Sequence, residues 1–203
     1  MRAALRLYFR IRIINSPKLT GGYVVVANHA SLMDPMVLGA ANPQQVTFLM
    51  NSVSFRSPLM GWFYRLFRVI PVAPRGGNLQ AVRNAQAALD AGEVVGVFPE
   101  GGVSRDRGLL LGNPGAVAIV LSRNTPVVPV GLVGVGDALP YGASVPRPRR
   151  IEVRYGEPIS AAELMQGDDR KERLARATCR IMREIAALTG QVSREDQLSK
   201  QIG

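Results

Sequence analysis

One histidine, one cysteine and one tryptophan occur in the 203 residues, and each scarcity excludes something. The lone cysteine, Cys179, forms no internal disulfide, which fits a reducing compartment. A single His and a single Cys, far apart in the chain, offer no metal-ligand spacing, so no metal site is expected. No apolar run reaches the ~18 residues that a membrane-spanning helix needs. Arginines interrupt every apolar stretch near the N-terminus, so no signal-peptide core is read there and a cytoplasmic location is expected. Aromatics are sparse too, six Phe and five Tyr, and they cluster at 55–67 instead of interleaving with basic residues. A single-stranded nucleic-acid platform needs aromatics beside positive charge, so nucleic acid is not an expected partner. Acidic residues are also in deficit, 15 Asp+Glu against 25 Lys+Arg, for a net charge of +10. Such a surface favours an anionic partner, and an anionic membrane surface is the expected one.

What is present suffices for a core. The composition is 47% hydrophobic, and the length suits one domain over 1–203. Residues 1–10 read as a short basic amphipathic helix, with Arg2, Arg6 and Arg10 on one side and Leu5, Tyr8 and Phe9 on the other. It either lies in a membrane interface or packs on the domain with its arginines solvated. Short apolar runs at 24–27, 46–50, 69–72, 94–98, 127–132 and 151–155 read as buried strands. Between them stand helix signals. Asp34-Pro35 opens one helix, Asn78 caps a second running to Asp90, and Asn113-Pro114 caps a third ending near Arg123. Ser160 to Glu163 matches a capping box, and a closing helix covers 168–189. Cys179 falls beside the apolar stripe of that helix and reads as a packing residue. The Pro- and Gly-rich stretch 134–150 reads as one long surface loop. Alternating strands and helices predict an α/β domain with a largely parallel sheet flanked by helices.

The single histidine follows directly on the apolar run Tyr23–Ala27, in Asn28-His29-Ala30-Ser31-Leu32-Met33-Asp34. Imidazole is the side chain whose unperturbed pKa, about 6.5, suits proton transfer near neutrality. A carboxylate five positions on can orient the ring and stabilise its charged form. A second constellation, Phe98-Pro99-Glu100-Gly101-Gly102-Val103-Ser104-Arg105-Asp106, leaves another buried strand through two glycines. Its backbone amides with Ser104 and Arg105 are candidate donors to a phosphate or carboxylate, and the alternative is a charged turn.

Taken in order, Asn28-His29 to Asp34, then Arg75 after Ile70-Pro71-Val72, then Phe98 to Gly101, then Val127-Val128-Pro129-Val130 resemble the glycerophosphate and lysophosphatidate acyltransferase family. The resemblance covers roughly residues 11–160. It implies that family's α/β fold and the transfer of a fatty acyl group to a lysolipid hydroxyl, as in phospholipid biosynthesis. The donor would be acyl-coenzyme A or acyl carrier protein, a substrate rather than a cofactor. By the same resemblance His29 is the general base and Asp34 its partner. Asn28, Ser31, Arg75, Glu100, Gly101, Gly102, Ser104 and Arg105 are the expected substrate-binding residues. A peripheral, monotopic placement on the cytoplasmic side of the membrane goes with that reading.

The third block departs from the family pattern Glu-Gly-Thr-Arg-Ser. Gly102 stands for the threonine and Val103 for the arginine, with Arg105 two residues on as its candidate substitute. Arg75 is offset by one residue, and Asn51 lies where a lysine is often found. These losses of anion ligands leave the reaction type and put the acceptor headgroup in question: lysophosphatidate, another lysophospholipid or an amino-acid-based lysolipid. Competing readings are a hydrolase with Ser31 as nucleophile, although no Gly-x-Ser-x-Gly elbow surrounds it, and a basic membrane-binding module without activity. The aromatics Phe55, Trp62, Phe63, Tyr64 and Phe67 either line an acyl groove or dip into lipid, or pack as an ordinary helix.

Overall fold

The computed structural model describes residues 2–52, 68–73 and 78–194. Arg75, the aromatic residues 55–67 and the helix expected there lie outside the described residues. The centre is a seven-stranded sheet of β1 (Arg12–Ile14), β2 (Tyr23–Ala27), β3 (Val46–Asn51), β4 (Val69–Val72), β5 (Val94–Val97), β6 (Val127–Val133) and β7 (Glu152–Tyr155), in spatial order β1-β7-β6-β2-β5-β3-β4. Every strand pairing is parallel except β6 with β7. All five residues of β2 are buried, as a central parallel strand covered on both faces requires.

Two helical layers cover the sheet. On one face lie α1 (Arg2–Tyr8) and α2 (Asp34–Ala41), over a core that includes Tyr23, Val25, Phe48, Val128 and Tyr155. On the other lie α3 (Leu79–Asp90), α4 (Pro114–Val120), α6 (Ala161–Leu164) and α7 (Arg170–Thr189), over Val24, Val26, Val95, Val97 and Ile181. A short helix, α5 (Val135–Ala138), follows β6. The period-two alternation of β2 thus feeds both cores. Close approach of α7 to β6 depends on Gly131, where a Cβ would sit 2.7 Å from that of Leu188.

Several local expectations meet their chemistry. Asn113 and Ser160 accept from the amides of Gly115 and Glu163, and Asp169 caps α7, so that helix starts at Arg170 within the expected 168–189. Other details need correcting. Asn78 precedes α3 without capping it, because its Oδ1 instead accepts from Ala73 N–H at 2.8 Å. The third helix stops at Val120. The loop expected over 134–150 contains α5, whose Val135, Gly136 and Ala138 are buried. The N-terminal helix ends at Tyr8, and its arginines are not simply solvated. Arg6 donates to Ala40 O at 2.8 Å, at the C-terminal end of α2, and Arg2 to Pro43 O at 3.2 Å, just beyond it. Among the described residues no helix is long and apolar enough to cross a membrane.

Candidate active site

β2 delivers His29 at the C-terminal edge of the sheet, where crevices of open α/β folds lie. A single turn follows. Asp34 N–H donates to Ser31 O at 3.2 Å, and Asp34 is the first residue of α2 with Pro35 beside it. That tight turn brings the Asp34 carboxylate back under the imidazole, with Nδ1 of His29 and Oδ2 of Asp34 2.9 Å apart. Ser31 N–H donates to the same Oδ2 at 2.7 Å. An oxygen already accepting from an amide accepts again from the ring, so Nδ1 carries the proton and Nε2 is left with its lone pair. Asp34 is wholly buried, while the His29 side chain keeps 15% of its surface exposed. Burial pushes the Asp34 carboxyl above its usual range, and the imidazole opposes that rise.

The histidine is held from four other directions. Its ring stacks on Phe98 at 4.2 Å, and Phe98 stacks in turn on Phe48 at 5.9 Å. Gly96 leaves room for this column, since a Cβ there would lie 2.6 Å from the Phe48 ring. Glu100 accepts from His29 N–H at 2.6 Å and from Leu110 N–H at 2.8 Å, so one carboxylate ties two segments of the site. Burial raises its pKa to about 7 against the lowering effect of those two amides. The His29 carbonyl accepts from Ser104 N–H at 2.8 Å. One residue back, Asn28 accepts from Leu132 N–H at 2.7 Å and donates to Leu132 O at 3.0 Å, joining the end of β2 to β6.

Asn28, Ser31 and Ser104, expected as substrate contacts, are 3%, 0% and 1% exposed, with hydrogen bonds made within the protein. Ser31 Oγ donates to Leu139 O at 2.9 Å, and Ser104 Oγ donates to Asp106 at 2.8 Å. Their work is to fix the loops around His29. Glu100 likewise spends both oxygens on backbone amides. Gly101 (φ +70) lines a cavity of about 310 Å³ between the ends of β3, β4 and α4, together with Asn51, Phe98 and Asn113. Gly102 is exposed, and a side chain there would meet nothing within 4 Å, so packing does not demand a glycine. Arg105 is exposed with its guanidinium 5.2 Å over the Tyr141 ring. Residues that sequence reasoning missed are Phe98 as the stacking platform, Leu132 and Leu139 as backbone partners, and Asp106. Only Phe98 carried a signal, as the aromatic residue ending a buried strand. Among the described residues no three His, Cys, Asp or Glu side chains gather to hold a metal ion.

Comparison with known proteins agrees with this chemistry. A family model described as Acyltransferase matches residues 10–133. The chain is 26% identical over 202 residues to 1-acyl-sn-glycerol-3-phosphate acyltransferase of Bacillus subtilis, covering 98% of this chain and 96% of that protein. Over 132 residues it is 30% identical to a chloroplast 1-acyl-sn-glycerol-3-phosphate acyltransferase of Brassica napus, covering 64% of this chain but only 38% of the plant protein. Among solved structures, the 1-acyl-sn-glycerophosphate acyltransferase of Thermotoga maritima matches with a TM-score of 0.68 at 24% identity, over 92% of this chain and 76% of that one. That likeness is one of fold.

Proposed function

The chain belongs to the acyltransferase family, and on that premise we propose that it moves a fatty acyl group from a thioester, acyl-coenzyme A or acyl carrier protein, to the hydroxyl of a lysophospholipid in phospholipid biosynthesis. 1-acyl-glycerol-3-phosphate is the first acceptor to try, because a relative matched over 96% of its length is named for it. The observation that carries the reading is the 2.9 Å contact of His29 Nδ1 with Asp34 Oδ2, an oxygen that also accepts from Ser31 N–H.

In this reading Nε2 of His29 takes the proton of the acceptor hydroxyl as that oxygen attacks the thioester carbonyl. The tetrahedral adduct collapses, the carbon–sulfur bond breaks, and the imidazolium returns its proton to the departing thiolate. An ester and a free thiol result, with no acyl-enzyme and no net proton change. Asp34 keeps the tautomer and stabilises the imidazolium. General base action supplies a factor of about 10²–10⁴, and alignment of the two substrates the rest. Phe98, Glu100 and Ser104 act through the histidine by fixing the ring plane and its backbone. Arg75, Arg105 and the two loop glycines remain the proposed contacts for the acceptor. The replacement of the family arginine by Val103 makes its headgroup the open variable. The placement we propose is peripheral, on the cytoplasmic face of an anionic membrane.

Thiol release from acyl-coenzyme A, followed across a panel of lysolipid acceptors with wild type and His29→Ala, tests this. Release that needs one acceptor, and falls at least ~100-fold in the variant, supports the reading and names the acceptor. Acceptor-independent release would mean a hydrolase. No release with any acceptor, repeated with acyl carrier protein as donor, would leave a binding module.

A further inference from the structure

We propose that the sheet edge carrying His29 is a membrane-docking face, on which Leu7, Tyr8, Leu32, Tyr141 and Val145 enter the interface of an anionic bilayer while Arg10, Arg105, Arg147 and Arg149 meet its headgroups. This deepens the peripheral placement proposed above and names the surface responsible.

Topology brings these segments together. β7 runs antiparallel to β6 with Glu152 opposite Val133, so the chain from 134 to 151 leaves and re-enters the sheet at one edge. β1 is parallel to β7 with Arg12 opposite Glu152, so the end of α1 arrives over that edge too. Leu32 and Arg105 follow β2 and β5, whose C-terminal ends form the same edge. Contacts then fasten the segments to one another. Tyr8 Oη donates to Pro146 O at 3.3 Å, Arg147 N–H to Ala138 O at 2.8 Å and Ile151 N–H to Phe9 O at 3.1 Å. The Ser31–Leu139 hydrogen bond and the Arg105–Tyr141 contact draw in the other two loops.

The five apolar side chains are 83%, 50%, 52%, 55% and 74% exposed in the order named above. Single exposed apolar residues are ordinary, but a group confined to one side marks an interaction surface. Leu79 and Leu111, also exposed, precede or open the helices that follow β4 and β5, again at this edge. Val192 follows α7 beside Gln191, which donates to Arg107 O. These complete the exposed large hydrophobic side chains among the described residues, and every one is at the His29 edge. Charge selects the occupant. Arg10, Arg105, Arg147 and Arg149 are exposed, and among the described residues no carboxylate lies within salt-bridge distance of them. The acids of this edge are neutralised locally, Asp137 by Arg107 and Asp106 by Arg194. Apolar tips among uncompensated arginines fit a bilayer of anionic lipid, since a soluble acidic partner would meet the charge but not the leucine, valine and tyrosine tips. Docking there would open the His29 site directly onto lipid.

Vesicle co-sedimentation without substrate separates this inference from the proposed activity. Vesicles rich in phosphatidylglycerol are compared with phosphatidylcholine alone for the wild type, Leu7→Ser/Val145→Ser, Arg147→Gln/Arg149→Gln, and the charge-matched Lys18→Gln/Lys171→Gln of the opposite edge. Activity on a short-chain, water-soluble acceptor is followed in parallel. The expected result is preference for anionic vesicles, a fall of about tenfold or more in partitioning for the first two variants, and none for the third, with melting temperature and soluble-acceptor activity kept. Equal loss in both charge variants would overturn the inference in favour of unspecific attraction. Loss in the arginine variant alone would overturn insertion and leave an acidic soluble partner. Full activity with no vesicle binding would sink the docking face and leave the acyltransferase reading standing.

Discussion

The two edges of the sheet are built from the same residue types to opposite ends. At the edge away from His29, connections are short and self-contained. Gly21 and Gly92 take positive φ in adjoining turns, Arg68 pairs with Glu93, and Arg123 pairs with Asp90 at 2.6 Å. Thr47 donates to that same Glu93, and no large hydrophobic side chain is exposed there among the described residues. At the His29 edge the loops are long, a buried polar network fills their interior, and arginines and apolar side chains stand unpaired outside. One edge closes the fold and the other is organised around something still to arrive. Paired charges and tight turns serve stability alone, whereas unmatched groups at the rim of a rigid core are the ones a ligand or surface can match.

The comparison is broken most severely by Asp34→Asn. The amide no longer holds the Nδ1–H tautomer, so kcat falls by about 10³–10⁴. The drop is read from initial rates at saturating acceptor, with the fold checked by circular dichroism. The matching lesion on the far edge is Gly22→Ala, whose Cβ would lie 2.2 Å from Leu89 O, a backbone atom that cannot swing aside. It should cost about 1–3 kcal/mol of stability, measured by urea denaturation, and leave the rate per folded molecule unchanged. Loss of rate without loss of stability in that variant would contradict the division of labour.

A finer probe is Glu100→Gln. Burial holds the folded pKa of Glu100 at about 7, above its unfolded value of 4.5. Between those values the unfolded chain has lost a proton that the folded chain keeps, so this group makes stability fall as pH rises from about 4.5 to about 7. Glutamine should flatten that decline in a series of melts, though it also weakens one of the two amide contacts. An unchanged slope would show that Glu100 ionises as freely in the fold as out of it.

How much of this was legible beforehand varies by element. β2 was readable because a run of five apolar residues suits a strand buried on both faces. Asn113 and Ser160 were readable as caps because their hydrogen bonds close within three residues. The His29–Asp34 pair was suggested by spacing, and the turn that closes it is local. Residues 134–150 misled because Pro and Gly content speaks for a loop, whereas α5 is held by burial against distant strands. Arg2 and Arg6 misled for the same reason, since helical periodicity cannot tell water from the carbonyls at and just beyond the end of α2.

By itself, then, the sequence determined the alternation of strands and helices, the excess of positive charge, and the one imidazole with a carboxylate within reach of a single turn. Each of these is set by composition or by neighbours a few residues apart. Tertiary structure decided which of the motif's polar side chains stay exposed and which are buried with partners inside the protein. Asn28, Ser31 and Ser104 look alike in a motif, but Asn28 and Ser31 reach Leu132 and Leu139 through chain crossings that spacing does not encode, whereas Ser104 bonds Asp106 only two residues on. It also decided that α1, Leu32 and the 134–150 segment share one edge, because β1 and β7 both run opposite to the other five strands and so begin at the side where His29 lies.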